Sequence, residues 1–239
     1  SKNLSMKNEL NVLENSKISI FGKKINFILL WIFETIFNPI YDFFKKNGLS
    51  IGIGLLAFLF LFKIGEAFLG RMSLIFYKEI GFTKSDIGIF SKGLGWITTV
   101  LFTLIGGLLT VKIGLVKSIF IAGIFMAITN LLFSLLFWTG KNYIIFSIAV
   151  ILDDLAAAYA TVAFVAFISV LVNRQYTATQ YALLASIGTL GRTTLASSSG
   201  SLVDYLNGDW GLFFIITCLM VIPSLILIFF LKGKIKSLD

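Results

Sequence analysis

The 239-residue sequence contains no histidine and one cysteine, Cys218. Without histidine, the commonest metal ligand and the usual neutral-pH proton carrier are both missing. Any proton chemistry therefore falls to carboxylates. A lone cysteine inside an apolar run excludes a disulfide framework. Charge is scarce as well: 13% of residues are charged, about half of the roughly 25% usual in soluble domains. An intramembrane aspartyl protease would need aspartates on two spans and a Gly-x-Gly-Asp block. No Gly-x-Gly-Asp block is found, and Tyr41–Asp42 falls outside any predicted span. The expectation is a non-enzyme that needs no cofactor and no metal. Residues 1–24 are polar and lack the apolar core of a signal peptide. The chain begins at Ser1 without a methionine, as expected of a fragment or a processed product.

Apolar residues, by contrast, make up 57% of the chain, and they come in long blocks. Roughly 20 such residues cross a bilayer core of about 30 Å, so the chain reads as an all-α integral membrane protein. Six spans are predicted: Ile51–Tyr77, Ser85–Val111, Ser118–Trp138, Tyr143–Val172, Thr179–Leu206 and Leu212–Leu231. Little more than "TGKN" separates the third from the fourth, which predicts a tight hairpin. The layout is a polar cytoplasmic segment at 1–24, an interfacial amphipathic helix or linker at 25–46, and a six-helix bundle at 47–239.

The interfacial helix rests on Ile25–Phe37, which is too short to span and is expected to end at Pro39. Glu34, Asn38 and Asp42 form a polar stripe, with lysines on both flanks. A re-entrant or seventh spanning segment is the other reading.

A formal charge of +8 could suggest nucleic acid, but the lysines cluster beside spans and in the tails. That placement points to topology and anionic lipid instead. One side receives Lys45, Lys46, Lys112, Lys117, Arg174, Lys232, Lys234 and Lys236; the other receives Lys78, Lys84 and Lys141. Eight against three places both termini in the cytoplasm. Two capping boxes are expected at helix starts, "TKSD" (Thr83–Asp86) and "TATQ" (Thr177–Gln180). Gln180 is thus either a cap or a substrate contact.

Asp153 and Asp154 stand side by side within "IAVILDDLAAAYATVAFVAF". A carboxylate at the bilayer centre costs on the order of 2.5–3.5 kcal/mol. At 1.5 Å per residue, Asp153 lies about 15 Å along its span, Lys63 about 18 Å along the first, and Arg192 about 20 Å along the fifth. Glu66 follows Lys63 by one turn, on the same helix face. Five ionisable groups from three helices thus share one mid-membrane layer.

Adjacent aspartates diverge by about 100° around a helix. One is expected to pair with a cation while the other faces water or substrate. Such pairs can simply lock helices together, but intramembrane charge at this density marks a polar pathway. Glu66, Asp153 and Asp154 are the proton-coupling candidates. Lys63, Arg192, Gln180 and Tyr159 are the substrate-binding ones. The third and sixth spans carry no charge, which suits two three-helix repeats whose third members face lipid. The fifth, "SIGTLGRTTLASSSGSLVD", is rich in small residues, for close packing or for gating.

"GGLLTVKIGLVK" (Gly106–Lys117) reads as a cytoplasmic gating loop carrying Gly107, Lys112 and Gly114. It resembles the loop signature of the major facilitator superfamily, with Gly107, Leu109, Lys112 and Gly114 in matching places and Val111 where an aspartate is usual. Further blocks follow in order: "PIYDFFKKNG", "KIGEAF" (Lys63–Phe68), "DDL" with "AFVA" (Ala163–Ala166), "ATQYALL" (Ala178–Leu184) and "GR" (Gly191–Arg192). From about Pro39 to Leu231 the chain resembles the C-terminal half of an AmpG-type muropeptide permease. It departs from that family at Ala196–Ser197, where Gly-Pro is frequent and a bend is expected. The resemblance implies proton-driven import of anhydromuropeptides across the bacterial inner membrane in cell-wall recycling. It also implies a missing N-terminal half. Protons, a sugar–peptide solute and lipid would be the partners, and nucleic acid would not. An acetyl-CoA carrier and a non-transporting sensor or assembly protein on the same fold are the alternatives.

Overall fold

The computed structural model describes residues 33–233. The polar segment 1–24, residues 25–32 of the interfacial helix, Lys234 and Lys236 lie outside the described residues. The chain divides into two units, one ending at Lys46 and the other beginning at Asn47. In the first, a π-helical turn (Phe33–Phe37) leads into a helix, Asn38–Asn47. Pro39 does not end a helix here, contrary to expectation. It occupies the first turn, where an N–H has no intrahelical partner to lose.

Among its described residues the second unit holds nine helices of seven residues or more: α1 (Leu49–Leu61), α2 (Ile64–Glu79), α3 (Leu94–Ile113), α4 (Leu115–Thr139), α5 (Tyr143–Leu171), α6 (Thr177–Ala196), α7 (Ser199–Tyr205), α8 (Trp210–Leu219) and α9 (Ile222–Leu231). Among the described residues every element is helical, and helical segments lie in all six predicted ranges. Among the described residues four stretches are long and apolar enough to cross a membrane: Leu49–Glu79, Leu115–Thr139, Tyr143–Leu171 and Trp210–Leu231. Thr98–Ile113 is apolar but shorter. This is a multi-pass integral membrane protein.

Three of the long rods are broken, each for a local reason. α1 gives way to α2 at Phe62–Lys63, where the charged residue enters. α6 ends where Ser197, Ser198 and Ser199 donate back to the carbonyls of Thr194, Leu195 and Ala196 at 2.6–2.7 Å, a pattern that bends helices. The bend therefore survives without Gly-Pro. α8 yields to α9 just before Pro223, which has no N–H to continue the ladder.

Two joints match the sequence reading. α4 stops at Thr139, and Gly140 and Lys141 lead to Asn142, whose side chain caps α5 by accepting from Ile144 and Ile145 N–H. Thr83 and Asp86 form the expected capping box, exchanging bonds of 2.9 and 3.1 Å. The expected gating loop is a correction. Gly107 and Lys112 belong to α3, whose apolar run carries the helix on to Ile113, and the whole connection to α4 is Gly114. Its φ of 87° is open to glycine and strained for a side chain.

α4 packs on α5 and α8, α3 on α5, and α1 on α6 and α9. A ring cluster fills one end: Phe76 meets Phe214 edge-on at 4.7 Å, and Tyr77 meets Phe146 at 4.8 Å. Trp210 Nε1 donates to Glu79 Oε2 at 2.7 Å, tying α8 to α2. On α4, Ile121, Ile124, Ile128, Leu131, Leu135 and Trp138 are exposed. Their spacing of three and four makes one apolar stripe, as a lipid-facing helix requires.

Candidate functional site

The break in the first rod places Lys63 between two helices. Its ammonium lies 3.0 Å from Glu66 Oε2 and donates to Thr161 Oγ1 of α5 at 2.7 Å. Thr161 can accept because its own hydroxyl proton goes to the Ala157 carbonyl, 2.7 Å away. The pair is mostly shielded, with 11% and 15% of the two side chains exposed. The i,i+3 pairing on one face is as the sequence implied.

The adjacent aspartates diverge. Asp153 turns to α4, where Thr129 Oγ1 lies 3.3 Å from Oδ1. Asp154 turns to α3, where Thr98 Oγ1 lies 2.9 Å from Oδ2. Lys63 pairs with Glu66 of its own rod rather than with an aspartate. Each aspartate meets a threonine with a second choice. Thr129 also reaches the Met126 carbonyl at 3.0 Å, and Thr98 the Gly95 carbonyl at 3.1 Å. A hydroxyl has one proton and two lone pairs. Beside a carboxylate it can donate to the carboxylate; beside a carboxylic acid it can swing to the carbonyl and accept. Each threonine can thus donate to its aspartate or accept from it without moving a helix.

The remaining candidates lie at different depths of burial. Gly191 lies against the Phe60 backbone so closely that a Cβ would collide with its carbonyl oxygen. That contact seats α6 on α1 and leaves the next residue, Arg192, exposed. The "GR" block is therefore a packing glycine and a presented cation. Arg192 forms no ion pair with a described residue. Beside it, Tyr181, Ser186, Thr189 and Thr193 line an open hollow of about 610 Å³ along α6. Tyr159 is buried, and its hydroxyl has no hydrogen-bond partner among the described residues.

Gln180 accepts from the Asn173 N–H at 2.6 Å, closing the turn before α6. The expected box with Thr177 does not form. Thr177 instead donates back to the Asn173 and Arg174 carbonyls, because the helix begins one residue earlier than that box requires. Thr98, Thr129 and Thr161 were missed in the sequence. Threonines inside apolar spans near an acid's depth were the available signal. Among the described residues no group of histidine, cysteine or acidic side chains could hold a metal.

A protein of Rickettsia conorii that carries the name transporter AmpG 4 is 34% identical over 216 residues, 90% of this chain and 51% of that protein. The anhydromuropeptide permease of Escherichia coli K12 is 30% identical over 196 residues, 82% of this chain and 39% of that protein. This chain is a relative of the AmpG-type transporters. No family model matches it. It spans about half the length, or less, of the curated AmpG relatives it matches, and Rickettsia typhi AmpG 2 repeats the pattern at 31% identity over 86% of this chain and 49% of that protein.

Proposed function

We propose that this chain forms the C-terminal half, with six spans, of a major facilitator transporter that imports anhydromuropeptides from periplasm to cytoplasm together with protons. It would sit in the bacterial inner membrane with both termini cytoplasmic, beside an N-terminal half. The kinship with AmpG-type permeases supports the substrate class. The observation that carries the coupling reading is the pair of aspartates, each against a threonine able to serve either protonation state.

In this reading at least one of Asp153, Asp154 and Glu66 exchanges the coupled proton. Arg192, exposed beside the polar face of α6, grips a peptide carboxylate with two parallel hydrogen bonds. Lys63 holds Glu66 until a solute carboxylate competes for it. Tyr159 supplies a buried hydroxyl from α5, and Gln180 holds the entrance turn of α6. Gly114, with Gly107 and Lys112 on the helix before it, forms the pivot between the second and third spans.

The test is solute-driven proton uptake by membrane vesicles carrying Glu66→Gln, Asp153→Asn or Asp154→Asn, with Thr98→Val and Thr129→Val alongside. At least one amide variant should bind solute yet lose coupled proton movement, and the valine partner of the responsible aspartate should weaken it. Normal coupling in all five variants overturns the assignment.

A further inference from the structure

Away from the charged layer, two hollows run together along the outer side of α4 and α9. The first, about 260 Å³, is lined by Val116, Phe120, Ile121, Phe229 and the two lysines Lys117 and Lys232. The second, about 410 Å³, is wholly apolar and is bounded by Ile222, Leu225, Ile226 and Phe230. Phe120 and Phe229 border both, so the two make one groove.

From Lys232 back to Ile222 is ten residues, about 15 Å of helix. That length matches about a dozen extended carbons of an acyl chain. At its mouth Lys117 and Lys232 are exposed, and Lys232 Nζ stands 4.0 Å above the Phe229 ring. That ring braces the ammonium at the rim. The first turn of α4 has Gly114 at its N-cap, so no side chain caps its amides, which favours negative charge close by. Among the groove's lining residues there is no acid.

A long apolar track ending in two cations, without an anion of its own, fits an amphiphile with a negative head. We propose that this groove is a binding site for an anionic phospholipid, its phosphate between Lys117 and Lys232 and one acyl chain along α9. The site is separate from the solute pathway and does not depend on what is transported. Basic pockets between membrane helices take such head groups, at about fivefold in affinity per lysine.

The test is native mass spectrometry of the full chain in detergent, titrated with dioleoyl phosphatidylglycerol or dioleoyl phosphatidylcholine. The wild type should retain the anionic lipid at least tenfold more tightly. Lys117→Gln and Lys232→Gln should each lower that preference about fivefold, and the double variant should abolish it. Lys84→Gln, exposed at the other end of the bundle, should leave it unchanged. Glycerophosphoglycerol, the head group without chains, should fail to displace bound lipid. Equal retention of both lipids, an unaltered double variant, an equal effect of Lys84→Gln, or displacement by the free head group would each overturn the proposal.

Discussion

Removing Lys63 tests whether its ion pair also holds the bundle together. Its ammonium spans α2 and α5 through contacts of 3.0 Å to Glu66 and 2.7 Å to Thr161. At 3.0 Å and an effective dielectric near 20, the attraction alone is about 5 kcal/mol. Desolvation cancels much of that, so the net worth of the pair is small while the penalty for halving it is large. Breaking a fully buried pair costs roughly 3–5 kcal/mol. The residual exposure of 11% and 15% brings the expectation for Lys63→Met to about 2–3 kcal/mol. In a chain of this size that lowers the melting temperature by about 4–12 °C. Lys63→Met with Glu66→Gln removes both charges, and it should recover about half of the loss. Thermal unfolding of the two single variants and the double variant in one detergent reads out the cycle. Strictly additive single effects would mean that the two residues do not act as a pair, and the reasoning would fail.

Other outcomes follow from neighbouring geometry. Gly191→Leu drives a side chain into the Phe60 backbone and should cost about 3 kcal/mol, the upper end of overpacking, seen as lost membrane abundance. Arg192→Ala, at an exposed position, should change stability by less than about 0.5 kcal/mol while weakening solute binding, with Arg192→Lys weakening it less. Asp86 lies at an exposed helix start, in the short helix Lys84–Ile87 ahead of α3. The Thr83 backbone amide, then the Thr83 hydroxyl, hold its carboxyl below the ordinary range, with Tyr143 and Lys141 assisting. A depressed acid contributes stability above its unfolded pKa of about 3.9 and loses it as pH falls through the folded value. Melting curves of Asp86→Asn should therefore lack part of the acid-side decline seen in the wild type; identical curves would refute this.

The sequence carried the features that depend on short range. The Thr83–Asp86 box, the hairpin at Gly140–Asn142 and the Lys63–Glu66 pair each lie within a few residues, so spacing was enough to foresee them. That Asp153 and Asp154 point to different neighbours followed from helical geometry alone. What spacing could not decide was direction. Adjacent aspartates must diverge, but which neighbour each meets depends on how α3 and α4 pack around α5. That is why Thr98 and Thr129 went unnoticed. Helix ends misled in three places, all through context. Pro39 is tolerated in a first turn, Thr177 bonds backward instead of capping, and one glycine, Gly114, replaces the expected loop. The serine-made bend after α6 arises from three hydroxyls that compete for backbone carbonyls, a signal that looks in sequence like a small-residue packing face.

The most direct measurement is uptake of radiolabelled anhydromuropeptide into inverted and right-side-out vesicles from cells expressing the complete locus, with internal pH followed in parallel. Wild-type vesicles should accumulate solute with a matching proton flux. Asp153→Ala should keep its membrane abundance and lose both fluxes, because its carboxylate would be the exchanging group while Asp154 anchors α5 to α3. Asp154→Ala should lose abundance instead. Full uptake in both alanine variants, or an uptake that moves no protons in the wild type, would contradict the account.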